Sequence, residues 1–297
     1  MLKFILVRLY FLVLQKENLK KLSKNIEKER EHLEGENLIE EILKYIFLII
    51  LGFSLGSFCM CFLNRFCENK PLLSARSYCF SCHKKLSIID LIPFLSYIFL
   101  KARCRFCKEK IPIGIFLAEI LGMVFVLIAY FFSKNLLEFL VFSLYLFVFW
   151  MLSYIDIKFK AVPQILLWVL FFLALIFKLN INEFFYFFIF EDFKSGFLIQ
   201  AFSFAGFLFL LKNFTGYIKN FRSKNIQENL GDADIIVCAS IAGIFGFKES
   251  FIILFCGALL TLPFFIFCKT RELAFLPFIN IAFIGYVIFL IFNQGLA

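Results

Sequence analysis

Charged residues are scarce in this chain. Asp, Glu, Lys and Arg make up 18% of its 297 residues, whereas hydrophobic residues make up 62% and include 48 Phe. A soluble domain of this length needs a polar surface that so apolar a chain cannot provide, which excludes a soluble globular protein. Internal repeats and Gly/Ser-rich linkers are also lacking. The composition therefore predicts an all-α polytopic membrane protein, because helices satisfy their own backbone hydrogen bonds in lipid.

Eight apolar stretches predict about eight transmembrane helices. They lie at about residues 43–63, 113–132, 136–155, 162–179, 195–211, 234–247, 250–268 and 273–292. The sixth is short for a bilayer that takes about 20 residues to cross. Residues 183–190 are interpreted as a re-entrant or interfacial piece.

Lys and Arg are nearly absent from every second loop. One set of alternate loops carries eighteen of them, ten of which lie in residues 64–112, and the other set carries four. Basic loops stay on the cytoplasmic side, so this asymmetry predicts a multi-pass inner-membrane protein whose 64–112 loop is cytosolic. The net charge of +9 is therefore interpreted as topology, with lipid rather than nucleic acid as the partner.

Residues 1–42 are interpreted as an N-terminal extension. The apolar run at 2–14 is too short for an easy span, carries Arg8, and lacks a small-residue cleavage site after it. Residues 15–44 are rich in Glu and Lys with leucines at helical spacing, which predicts a charged amphipathic helix.

Two cysteine pairs lie in the cytosolic loop. Cys79-x2-Cys82 and Cys104-x2-Cys107 are separated by 21 residues, and two such pairs offer four thiolates for a structural zinc ion. Disulfides are the competing interpretation, which a reducing compartment disfavours. A redox pair is another, although one pair would be enough for it. His83, next to the second cysteine, is a candidate substitute ligand.

Four carboxylates lie at or inside predicted spans, where a charged group costs at least about 2.5 kcal/mol. Glu119 is two turns into the second span, Asp156 closes the third, and Asp232 and Asp234 open the sixth. The charge count assigns the three aspartates to one membrane boundary. Paired carboxylates there suit amide hydrolysis, with one activating water and its neutral partner polarising the carbonyl. The alternative is that these aspartates cap helices or lie in headgroup water.

Residues 52–288 resemble the type IV prepilin peptidases. Gly56-Ser57-Phe58 followed by Arg65 resembles that family's opening GSFLNVxxxR stretch, and Ser77 to Pro112 resembles its zinc loop. Glu119 occupies the place of the Glu in the family's PLVE segment.

The later motifs of the family also have counterparts. Asp156, with Pro163 seven residues on, resembles the first catalytic aspartate, and Gly231 to Asp234 stands where the family has GxGD. Counting back from the stretch 239–247, which resembles the family's AALGAWLGW, aligns Asp234 with the second catalytic aspartate and Asp232 with a variable position.

The resemblance implies a GxGD-type aspartyl protease that cleaves the leader of a type IV prepilin or pseudopilin after Gly at the cytoplasmic face. Asp156 and Asp234 would be its catalytic pair, with Asp232, Glu119 and Arg65 as alternative or auxiliary residues. The zinc loop resembles that of members that also methylate the new N-terminal amine from S-adenosylmethionine. Residues 43–63 would be the first transmembrane helix and residues 113–297 the peptidase domain.

Two other functions are open at this point. One is a non-catalytic membrane scaffold of a pilus or secretion assembly that binds partners through its zinc loop. The other is a transporter, since carboxylates in membranes also carry protons. A transporter would be expected to hold its acidic residues nearer the centres of the spans.

Overall fold

The computed structural model describes residues 38–68, 78–79, 81–82, 84–87, 95–178, 196–220, 231–268 and 273–295. Residues 1–37 of the predicted 1–42 extension and the predicted segment at 183–190 lie outside these residues, as does His83. Residues 38–42 belong to the first described helix. The chain forms two compact units, Met1–Ile50 and Leu51–Ala297.

The described residues form nine α-helices and no β-strand, which confirms the predicted all-α membrane fold. The helices are α1 Leu38–Cys67, α2 Leu95–Phe99, α3 Ile113–Phe132, α4 Leu136–Phe159, α5 Gln164–Lys178, α6 Phe197–Asn220, α7 Asp232–Phe245, α8 Phe247–Cys268 and α9 Leu276–Gly295.

Every predicted span corresponds to one of these helices. Of the eight helices that correspond to predicted spans, six are long and apolar enough to cross a membrane: α1, α3, α4, α6, α8 and α9. The other two, α5 and α7, have 15 and 14 residues. At about 1.5 Å per residue each covers about 21–23 Å, less than the ~30 Å hydrocarbon core.

Some helix ends differ from the prediction. Helix α4 continues to Phe159, so Asp156 lies inside its last turn rather than after it. Gly246 ends α7 with a φ of 99°, which is accessible to glycine, and α8 starts at the next residue. The sequence analysis predicted a break here between residues 247 and 250, and the structure places it at Gly246.

Two helices organise the larger unit. Helix α4 packs against α3, α5 and α9, and α7 packs against α5, α6 and α8. Phe283 of α9 lies among the rings of Phe142, Tyr145 and Phe149 on α4, with centroid distances of 5.6–6.3 Å. The Tyr145 hydroxyl also lies 3.0 Å from Ser240 Oγ of α7. Ring packing and this buried hydrogen bond hold α4, α7 and α9 together.

Small residues allow α1 and α3 to approach closely. A Cβ on Gly52 would lie 2.5 Å from the Cα of Met123, and a Cβ on Gly56 would collide with the carbonyl of Ala118. A Cβ on Gly122 would lie 2.6 Å from the Cα of Gly56. Such small-xxx-small contacts replace the hydrophobic driving force that lipid does not provide.

Candidate functional site

The alternation of the helices brings two of the predicted aspartates and the start of α9 to one end of the bundle. Asp156 is near the C-terminal end of α4, Asp234 is in the first turn of α7, and Leu276 is the first residue of α9. Successive helices of the bundle run in opposite directions. The C-terminal end of α4 and the N-terminal ends of α7 and α9 therefore lie at the same end of the bundle. The structure therefore brings Asp156 and Asp234 to the same end of the bundle.

The start of α9 holds Asp156. Its carboxylate is buried, with 8% of the residue exposed, and Oδ2 accepts a hydrogen bond from the backbone N–H of Leu276 at 3.2 Å. The first amides of a helix have no partner within the helix, so they are ready donors for a carboxylate. This contact fixes the orientation of Asp156 and caps α9.

The two aspartates of α7 have different surroundings. Asp232 has 84% of its side chain exposed and its Oδ1 lies 2.6 Å from Nζ of Lys212 on α6. Asp234 is half-buried, and its Oδ2 accepts the backbone N–H of Gly231 at 3.2 Å. The capping interpretation thus applies to Asp234, which closes the N-terminus of its own helix.

Asp156 and Asp234 lie near enough for their carboxylates to interact directly by Coulomb forces, and Lys212 also acts on Asp234. The structure thus brings together two acidic groups that are 78 residues apart in the sequence. Asp232, pointing to the outside, is separated from this pair.

One polar pair next to the aspartates was missed by the sequence analysis. Asn280 Nδ2 of α9 donates to Ser153 Oγ of α4 at 3.0 Å, and both residues are buried. Ser153 in turn donates to the carbonyl of Phe149. A polar residue in an apolar helix was the available signal, since such groups usually pair within the bundle.

The four predicted cysteines converge. Each pair begins beside an isolated antiparallel bridge, Tyr78 with Lys85 and Arg103 with Lys110. The turns are closed by hydrogen bonds from the N–H of Cys79 to the Lys84 carbonyl and from the N–H of Cys104 to the Glu109 carbonyl. The two knuckles thus repeat one local geometry.

The sulfur positions suit one tetrahedral ion. All four Sγ atoms, of Cys79, Cys82, Cys104 and Cys107, lie within 4.8 Å of one another. The Sγ atoms of Cys79 and Cys107 are 3.8 Å apart, matching the ~3.8 Å that tetrahedral Zn–S bonds of about 2.3 Å require. The distance is too long for a disulfide, and all four cysteines are free. The amide of Cys82 lowers the pKa of Cys79 to about 7, which favours the thiolate that a metal binds.

A cavity of about 320 Å³ lies between α1, α3 and the cysteine loop. Among the described residues, its lining includes the predicted auxiliary residues Arg65 and Glu119 together with Cys79 and Cys104, but not Asp156 or Asp234. Glu119 is 5% exposed. Arg65 and Glu119 therefore line a cavity that does not include the aspartate pair.

The fold and these sites describe a polytopic helical membrane protein with a cluster of four cysteines that could hold a metal ion, beside a cavity. Residues 50–133 match the model of the bacterial peptidase A24 N-terminal domain. This stretch contains the cysteines, Arg65 and Glu119.

Two curated relatives are prepilin leader peptidase/N-methyltransferases. The chain is 33% identical to that of Vibrio cholerae over 148 residues, which are 46% of this chain and 58% of the relative. It is 36% identical to that of Myxococcus xanthus over 81 residues, 27% of this chain and 24% of the relative. The matches thus span less than two thirds of either relative. They confirm the predicted resemblance to type IV prepilin peptidases, and no solved structure matches the chain significantly.

Proposed function

We propose that the chain cleaves the leader peptide of a type IV prepilin or pseudopilin and methylates the new N-terminal amine. The observation that carries the peptidase activity is the placement of Asp156 and Asp234, two carboxylates from distant helices, at one end of the bundle and within range of each other's charge. The names of the two relatives support both activities. The basic 64–112 loop favours the cytoplasmic face of the inner membrane for the site.

In the proposed reaction Asp156 and Asp234 share the acid and base duties. One carboxylate takes a proton from water while the protonated partner donates a hydrogen bond to the scissile carbonyl. The water oxygen adds to the carbonyl carbon, the C–N bond breaks, and the leaving nitrogen receives a proton from the pair. The amides at the start of α9 would keep Asp156 in position throughout.

The substrate fits this location by its chemistry. The apolar helix of a prepilin would lie in lipid beside the bundle, and its basic leader would be attracted to the two carboxylates. We propose that the four cysteines hold a structural zinc ion that stabilises the loop, with no part in cleavage.

The test is cleavage of a co-expressed prepilin by single variants. Asp156→Asn and Asp234→Asn should each lower cleavage by at least about 10³-fold, which is within the usual contribution of acid–base groups. Asp232→Asn is the matched control: it makes the same change two residues away on a side chain that points outward, and it should retain cleavage. If either catalytic variant keeps wild-type cleavage, the two-aspartate mechanism is wrong. Loss of cleavage in Asp232→Asn alone would mean that the motif register is wrong.

A further inference from the structure

We infer that Lys212 of α6 is a positioning residue of the aspartate pair, whose ammonium group keeps negative charge on Asp234. The inference rests on the proposed peptidase activity and adds a third residue to that reaction. Lys212 lies inside the apolar span Phe197–Ile218, where a cation is costly and calls for a partner. The sequence analysis counted it only among the basic residues that set the topology.

The exposure of Lys212 argues against a lysine that merely extends to headgroup water. Lysines near the ends of a span often do so, and their ammonium groups are then solvated. The Lys212 side chain, in contrast, has only 17% of its surface exposed, and its Nζ lies 2.6 Å from Oδ1 of Asp232. Asp232 belongs to the first turn of α7, as does Asp234. The ammonium group is therefore directed at the turn that carries one member of the aspartate pair.

The ion pair with Asp232 does not by itself account for an enclosed lysine. Asp232 has 84% of its side chain exposed, and a pair that is open to water on one side stabilises a fold little. Asp234 is more enclosed, and the charge of Lys212 acts on it as well. Charges attract each other more strongly where water is excluded, so the attraction to Asp234 is the one that matters for the chemistry.

Lys212 supplies the positive charge in the surroundings of Asp234. Within the part of the chain that the structure describes, Asp234 is acted on by one carboxylate, that of Asp156, by one backbone amide and by one cation, Lys212. The polar side chains that follow on α6, Asn213 and Thr215, donate to backbone carbonyls of their own helix. They therefore leave the charge balance of the pair to Lys212.

The proposed reaction needs a pair that carries one negative charge. One carboxylate must be ionised to take the proton from water, while its partner is protonated. Burial and mutual repulsion both disfavour charge on two neighbouring carboxylates, so such a pair tends to become fully protonated and inactive. A cation next to Asp234 opposes this tendency. Lys212 would thus act through Asp234, without contacting the substrate.

The test measures kcat and KM for prepilin cleavage by purified variants of the full chain. Lys212→Met keeps the length of the side chain and removes its charge. It should lower kcat about tenfold or more, because a nearby opposite charge usually changes a proton equilibrium by at least this factor. KM should not rise, since a cation repels a basic leader rather than binding it.

Two variants accompany this measurement. Lys212→Arg restores the positive charge and should return kcat to near the wild-type value. Lys248→Met is the matched control, because it removes a lysine charge beyond the other end of α7, in the first turn of α8, and should change neither constant. Wild-type kcat in a folded Lys212→Met protein, or a loss in Lys212→Arg as large as in Lys212→Met, would overturn the inference.

A purely structural ion pair gives a different result. Asp232→Asn breaks the charge pairing from the other side, but it keeps Oδ1 as an acceptor and leaves the ammonium group in place, so kcat should be retained. Equal losses in Asp232→Asn and Lys212→Met would mean that only the link between α6 and α7 matters, against the inference. If Lys212→Met does not fold, Lys212→Gln replaces it, since Gln keeps an N–H donor for Asp232 without the charge; wild-type kcat in Lys212→Gln would also refute the role.

The two proposals can fail separately. Wild-type cleavage by Asp156→Asn or Asp234→Asn would remove the two-aspartate mechanism, and the role of Lys212 with it. Loss of cleavage in both of these variants, together with wild-type kcat in Lys212→Met, would remove only the role of Lys212 and leave the peptidase mechanism intact.

Discussion

Replacing Asn280 by Leu should slow peptide cleavage without removing a catalytic group. The Asn280 amide joins α9 to Ser153, one turn before Asp156 on α4, and α9 also supplies the Leu276 N–H that holds the Asp156 carboxylate. Leu has the same number and branching of side-chain heavy atoms as Asn, so the change removes the hydrogen bond without opening a cavity. Ser153 keeps its bond to the Phe149 carbonyl and is not left unsatisfied.

The size of the effect follows from the single contact that is lost. Hydrogen bonds between helices in membranes contribute about 0.6 kcal/mol on average and up to about 1.7 kcal/mol. If the whole of this free energy is added to the activation barrier through misalignment of Asp156, the rate falls about 3- to 20-fold, since about 1.36 kcal/mol corresponds to a factor of ten. The loss should appear in kcat, with KM changed little, because the prepilin itself does not contact this buried pair.

The assay is cleavage of purified prepilin in detergent over a range of substrate concentrations. Thr261→Val is the control, since it removes a buried hydroxyl whose bond goes to the carbonyl of Ala258 in its own helix. Ser153→Ala and the double variant complete a mutant cycle, in which the second change should add little to the first. A folded Asn280→Leu protein with wild-type kcat, or an equal loss in Thr261→Val, would refute the argument.

Two further predictions concern the helix contact and the metal. Gly56→Ala should lower the midpoint of thermal unfolding, because its new methyl group meets the Ala118 backbone at a cost of about 1–3 kcal/mol. Gly206→Ala is the control, since the space around Gly206 is open and the midpoint should not change. Equal midpoints for the two variants would contradict the close contact. Cys79→Ser should reduce the zinc content, measured by elemental analysis, from about one ion per chain toward zero. Cys256→Ser, on α8 and outside the cluster, is the control and should leave the zinc content unchanged. An unaltered zinc content in Cys79→Ser would remove the assignment.

The sequence predicted the helices well because long apolar runs have few alternatives in lipid. It predicted the cysteine cluster for a similar reason, since the short spacing within each pair already restricts the geometry. The preference for Asp234 over Asp232 came from motif register. The physical difference between them, the outward ion pair of Asp232 with Lys212, depends on where α6 lies.

Tertiary contacts explain what the sequence did not predict. The Asn280 bond to Ser153 joins residues 127 positions apart, and no periodicity within either helix indicates it. Arg65 and Glu119 were grouped with the aspartates as auxiliary residues, yet they line a separate cavity with the cysteines. Their grouping depends on the glycine contact between α1 and α3, which only the packed helices reveal.

The arrangement of the two sites has a consequence for the order of the proposed reactions. The amine that would be methylated does not exist until the leader has been cut, so cleavage must come first. Helix α1 ends, α3 begins, α4 ends and α7 begins at one side of the bundle, so the cysteine loop and the aspartate pair lie at the same side. If methylation takes place beside the cysteine loop, as the resemblance implies, the new N-terminus would stay at one membrane boundary, without a charged ammonium having to enter the hydrocarbon core. Sites at opposite ends would have required that crossing, which costs several kcal/mol for a charged group.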